Sequence, residues 1–172
     1  MKNTSLKIAA LALVALSLGI NKASAQASAT ANASATIITP ITITKSADMA
    51  FGNVAVTATA GTVVLSSAGS RTKTGGVTLP STTGTVTAAG FGVAGQGGYT
   101  YALTLPTSLT ITSGSNSMVV DNFTSSLSGG VGTLTSGGTD AFTVGATLNV
   151  GGSQAPGTYT SATPFTVTVN YN

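Results

Sequence analysis

The sequence predicts an all-β fold, an antiparallel β-sandwich, and three observations carry that reading. Thr and Val dominate the ordered-looking runs, and β-branched side chains suit a pleated, half-buried surface better than a helix. Beyond residue 25 no apolar stretch of useful length repeats with a helical period. The runs are short and are separated by turn clusters such as Ser113-Gly114-Ser115-Asn116 and Ser136-Gly137-Gly138-Thr139-Asp140. Many short strands without helices make a sandwich.

In chain order, the first element is an export signal. Lys2 and Lys7 precede the apolar run from Ile8 to Ile20, and Ala23-Ser24-Ala25 supplies the small residues of a cleavage site. The run is shorter than the ~20 residues that cross a bilayer, so residues 1–25 are expected to be removed. The domain plan is then a signal peptide (1–25), an N-terminal extension (26–36) and a β-sandwich domain (37–172). In the extension, Ala27, Ala29, Ala31, Ala33 and Ala35 alternate with Ser28, Thr30, Asn32, Ser34 and Thr36. An all-Ala face buries too little area to fold alone against backbone entropy. Two readings stay open for it: a leader without fixed structure, or a strand that docks on something else. Strands are expected at 36–44, 49–57, 61–66, 76–79, 85–93, 99–105, 108–112, 117–123, 141–150 and 164–171. In the last, Phe165, Val167, Val169 and Tyr171 share one face, while Thr166, Thr168 and Asn170 share the other.

Composition removes whole classes of chemistry. The chain has no Cys, His or Trp, its three acids are all Asp, and 5% of its residues are charged. Thiol nucleophiles, histidine bases, disulfides and Cys/His metal sites are impossible. Loss of the signal removes Lys2, Lys7 and Lys22, leaving Lys45, Arg71 and Lys73 against Asp48, Asp121 and Asp140. The mature net charge is zero, so neither nucleic acid nor membrane insertion is expected. The C-terminal run ends without an apolar tail and basic stop, so no anchor is expected there.

Motif matches fail on context. Gly90-Phe91-Gly92-Val93-Ala94-Gly95 spells a dinucleotide fingerprint but precedes a turn and strand rather than a helix. Ser70-Arg71-Thr72-Lys73 and Lys73-Thr74-Gly75 share one lysine that penicillin-binding enzymes would need twice, and they read as a solvated loop. Asp121-Asn122 and Asp140 read as turn formers rather than calcium ligands. With no close acid–base pair, the chain is expected to be a non-enzyme without cofactors.

The most specific pattern is Gly157-Thr158-Tyr159 followed by Pro164-Phe165-Thr166-Val167-Thr168-Val169-Asn170-Tyr171-Asn172. It resembles the C-terminal signature of chaperone–usher pilin subunits and spore-coat-U-like domains. Nearly the whole mature chain also resembles a family of exported bacterial domains of unknown function. Phe51-Gly52-Asn53-Val54, Tyr101-Ala102-Leu103-Thr104-Leu105-Pro106, Val144-Gly145-Ala146-Thr147-Leu148 and Pro156-Gly157-Thr158-Tyr159 carry that likeness. The pilin resemblance implies an immunoglobulin-like sandwich lacking one strand, completed by the N-terminal extension of another copy or a related subunit. Ala27, Ala29, Ala31, Ala33 and Ala35 would then be donor residues. Gly157, Tyr159, Phe165, Val167, Val169 and Tyr171 would form the groove and its C-terminal strand. It implies a periplasmic chaperone and an outer-membrane usher as partners, with passage through the periplasm to the cell surface. Two features depart from the pilin pattern: there is no disulfide, and donor strands usually insert larger aliphatics than Ala.

Against this fibre or coat subunit stands a self-contained secreted β-sandwich that binds carbohydrate or a surface. Absence of Trp, and aromatics that fall inside strand patterns, count against it. An outer-membrane barrel needs aromatic girdles that nine scattered Tyr and Phe do not form. Thr rows such as Ile41-Thr42-Ile43-Thr44, suited to ice or a crystal face, are explained by the abundance of Thr in strands.

Overall fold

The computed structural model describes residues 26–172, so the predicted signal peptide lies outside the described residues. Chain contacts divide the molecule at Thr36/Ile37. Residues 26–36 contain no helix or strand, and every one of them is exposed.

From Ile37 onward the regular structure is β, apart from a single-turn 3₁₀ segment at Ser128–Gly130. The strands are β1 (Thr42–Ala47), β2 (Ala50–Phe51), β3 (Ala55–Val56), β4 (Gly61–Leu65) and β5 (Arg71–Lys73). Then come β6 (Val77–Thr78), β7 (Val86–Thr87), β8 (Ala89–Ala94), β9 (Thr100–Thr104) and β10 (Ser108–Ser113). The series ends with β11 (Asn116–Ser125), β12 (Val131–Thr133), β13 (Thr139–Val150) and β14 (Thr168–Tyr171). Every pairing is antiparallel.

One sheet runs β1-β8-β13-β11-β10, with β4 also on β13 and β5 on β4. Strand β13 is long enough to hold β8 along its first half and β4 along its second. Facing this sheet is a three-stranded one, β12-β9-β14, and two short ribbons, β2-β7 and β3-β6. Between the main sheet and β9/β14 lies a core of Ala89, Val93, Tyr101, Leu134, Phe142, Val144 and Val169. A second core, of Val63, Val77, Val120, Ala146, Leu148 and Val150, lies beneath β4, β6, β11 and β13. The fold is the expected all-β antiparallel sandwich.

Departures from the expected strands have local causes. Strand β1 begins at Thr42 rather than residue 36, because Pro40 has no N–H for a ladder and holds Thr39 extended. The run 49–57 divides into β2 and β3 at Gly52, which takes φ 68°. Arg71–Lys73, read as part of a solvated loop, form β5 instead. Val64 faces Thr72 across the pair, and a tight turn from Ser66 to Ser70 closes the hairpin. Asp121 pairs with Thr147 within β11 rather than sitting in a turn, and a bulge follows at Asn122 and Phe123, with Asn122 at φ 47°. Strand β12 has no counterpart among the expected strands, since three residues with a central glycine give no periodic signal.

Candidate functional site

Strand β14 is the outermost strand of its sheet and pairs only with β9. The Asn172 N–H donates to the Thr100 carbonyl at 3.3 Å, which fixes the parity of this ladder. Asn172, Asn170 and Thr168 turn their backbone groups toward β9, and the residues between them turn theirs away. Accordingly, the N–H and C=O groups of Val167, Val169 and Tyr171 find no partner among the described residues. The ladder stops at Thr168 for a related reason. Continued in register, the next bonded pair would be Thr166 with Pro106, and Pro106 has no N–H. Strand pairing is therefore shorter than the expected 164–171, yet the burial alternation runs through the whole segment. Phe165, Val167 and Tyr171 are half-buried, Val169 is 7% exposed, and Thr166, Thr168 and Asn170 are exposed.

Across the core from β14 lies β1, the outermost strand of the main sheet. The two approach within 8 Å between Cα atoms but exchange no backbone hydrogen bond. Ile41 and Ile43, on and just before β1, are half-buried and pack on the same core as Phe165, Val167 and Tyr171. The interior beneath this seam is filled by rings. Phe91 stacks on Phe142 at 5.4 Å between centroids, and Phe165 meets Phe91 edge-on at 6.4 Å and Phe123 at 5.2 Å.

One end of the seam is tied by Tyr171. Its hydroxyl donates to the Thr39 carbonyl at 2.8 Å and accepts from the Gln96 N–H at 2.6 Å. Gly95 permits that approach, since a Cβ there would overlap the hydroxyl. Tyr171 thereby joins the C-terminal strand to the chain entering β1 and to the β8–β9 turn.

Gly157 and Tyr159 sit elsewhere, in the corner connecting β13 to β14 along the outer side of β10. The Tyr159 hydroxyl donates to the Ala155 carbonyl at 2.7 Å and accepts from the Gln154 side-chain amide at 2.8 Å. This is the geometry of a tyrosine corner, a phenol bonded to backbone a few residues upstream. Thr160 then exchanges two backbone hydrogen bonds with Thr112 of β10. A Cβ on Gly157 would crowd the Ser113 hydroxyl. The structure thus brings Phe165, Val167, Val169 and Tyr171 together at one edge and places Gly157 and Tyr159 in a separate corner. Ala27, Ala29, Ala31, Ala33 and Ala35 are all exposed.

Two polar features escaped sequence reasoning. Tyr101, fully buried, donates to the Asp140 carboxylate at 2.8 Å across the two sheets. Burial first, and then this carboxylate, push its phenol pKa well above the ordinary tyrosine value. The Arg71 guanidinium donates to the carbonyls of Phe51 and Asn53, clasping the break between β2 and β3. An arginine on a short polar strand offers no signal for that role. The sole ion pair among the described residues, Lys45 with Asp48 at 2.6 Å, is exposed.

Cavities are shallow. One of about 550 Å³ lies over Thr62, Val119, Asn149 and Gln154; another of about 280 Å³ lies over Thr42, Thr44, Gly92 and Asp140. Among the described residues no three acidic, histidine or cysteine side chains cluster as metal ligands would, and no helix is long and apolar enough to cross a membrane.

No curated protein and no solved structure matches the chain. A family profile does match, over residues 41–171, which takes in every strand described above and starts after the alanine-rich extension. The short motifs noted in the sequence fall on its structural joints: the Arg71 clasp, the centres of β9 and β13, and the tyrosine corner. The chain belongs to the family described as a domain of unknown function, DUF4402.

Proposed function

We propose that this protein is a structural subunit of a bacterial surface fibre or coat, assembled by strand addition. Residues 26–36 of one copy add to the outer edge of β14 in the next. One observation carries the reading: β14 ends its sheet with the backbone groups of Val167, Val169 and Tyr171 unpaired above a half-buried apolar row. An edge of that kind is a template for another strand. Chaperone–usher pilin subunits, which the C-terminal run resembles, use such an edge in the same way. Following them, a signal at residues 1–25 exports the chain, a periplasmic chaperone caps β14 in transit, and an outer-membrane usher releases it into the fibre. The protein works without catalysis or a cofactor.

The test is deletion of residues 26–35 from the mature chain. The truncated protein is expected to remain soluble and folded while losing the polymers that the full mature chain forms in sedimentation velocity. Polymers of unchanged length after the deletion would defeat the reading.

A further inference from the structure

We infer that the β14 edge selects its donor by size, admitting a strand whose inward side chains are no larger than Ala, and that this is why the extension carries an alanine series. The inference rests on the strand-addition reading above, and its occupant is residues 26–36 of a second copy. Three observations set the depth of the seam.

First, parts of β1 and β14 come within 8 Å between Cα atoms. Second, the space beneath is occupied by the chain's own rings. Phe165 is wedged against Phe91 and Phe123, and Phe91 stacks on Phe142. Third, the Tyr171 hydroxyl fastens one end by bonding Thr39 and Gln96, so the edges cannot part freely there. A strand added along β14 meets a floor already close-packed. Its inward positions have room for a methyl group, and larger side chains would have to displace an aromatic ring.

The extension is long enough to cover this strip and agrees with it in period and charge. Extended, residues 26–36 span about 36 Å, and the apolar row from 165 to 171 spans about 23 Å. Five alanines recur at every second position, which puts all of them on the face that meets the row. Neither the extension nor 165–171 holds a charged residue, so docking strips no ion of its water. Affinity comes from main-chain hydrogen bonds, and the small side chains serve to let the backbones approach.

The experiment compares three full mature chains by sedimentation velocity: wild type, Ala31→Leu and Asn32→Leu. Both substitutions lie in the exposed extension, and both add the same bulk to neighbouring residues on opposite faces. Ala31→Leu is expected to weaken association roughly tenfold or more, the effect of overpacking a filled seam. Asn32→Leu, on the outward face, is expected to assemble as wild type does. If Ala31→Leu polymerises undiminished, or Asn32→Leu is impaired as severely, size selection is overturned and strand addition stands. A wild-type chain that stays monomeric overturns strand addition and this inference with it.

Discussion

Tyr101 shows how one hydroxyl can order a core that has almost no other polar groups. Its ring is fully buried between the sheets, and its single donor reaches Asp140 at the start of β13. Ionising that phenol would place a negative charge in the core beside a carboxylate, so its pKa is raised. The sign of the linkage follows. Stability from this group is complete below the unfolded tyrosine pKa of about 10 and declines as pH rises from there through the higher folded value. Tyr101→Phe keeps the ring and removes the titration. The variant is expected to lose about 1 kcal/mol at pH 8, one hydrogen bond's worth, in urea unfolding. It should lose less than the wild type between pH 8 and about pH 11. Equal alkaline losses in the two proteins would assign the decline to other groups.

At the scale of the element, the parity of β14 sends its backbone groups in two directions. Backbone groups of Thr168 and Asn170 hold it to β9, and those of Val167, Val169 and Tyr171 face outward. Proline distinguishes the two sides, since it deletes an N–H wherever it is placed. Val167→Pro removes an outward N–H and no ladder bond. It is expected to melt within a few degrees of wild type, yet to be defective in assembly by sedimentation. Asn170→Pro removes a bond to β9 and is expected to destabilise the fold itself by about 3 kcal/mol, a penalty typical of proline inside a hydrogen-bonded element. If Val167→Pro polymerises normally, the outer edge of β14 is not the acceptor.

The inward set of this strand was legible in the sequence because burial in a strand follows a period of two, and Phe165, Val167, Val169 and Tyr171 keep that period without a break. Where the ladder ends was not legible. It depends on Pro106 falling opposite Thr166, a fact of register between segments sixty residues apart. The tyrosine corner was hidden for a similar reason. Gly157-Thr158-Tyr159 marks a constrained backbone, but only the folded turn places the phenol on the Ala155 carbonyl, in a corner apart from the β14 edge. Strand β5 was missed because Ser70 to Lys73 is polar on both faces, and its pairing is dictated by β4 beside it.

Viewed across the whole molecule, the described cations lie on edge strands. Lys45 lies on β1, and Arg71 and Lys73 lie on β5, both outermost strands of the main sheet. Cations on an edge discourage another strand from pairing there. The β10 edge is covered at Thr112 by Thr160, and β12 is only 3 residues long. Among the described edge strands of four residues or more, β14 is the one with no charge, bulge or bridging segment. Natural sheets blunt edges they do not use, so on the strand-addition proposal this edge is the acceptor and the surfaces meeting there are neutral. Association through β14 should then be nearly indifferent to ionic strength, because screening acts on charges that this contact lacks. Raising NaCl from about 0.05 to 0.5 M is expected to leave the association constant of the mature chain within about twofold. Sulfate, which is excluded from protein surface, should strengthen it. A steep fall with NaCl would instead place the contact on the lysine-bearing edges, β1 or β5, and against the acids of a neighbouring copy.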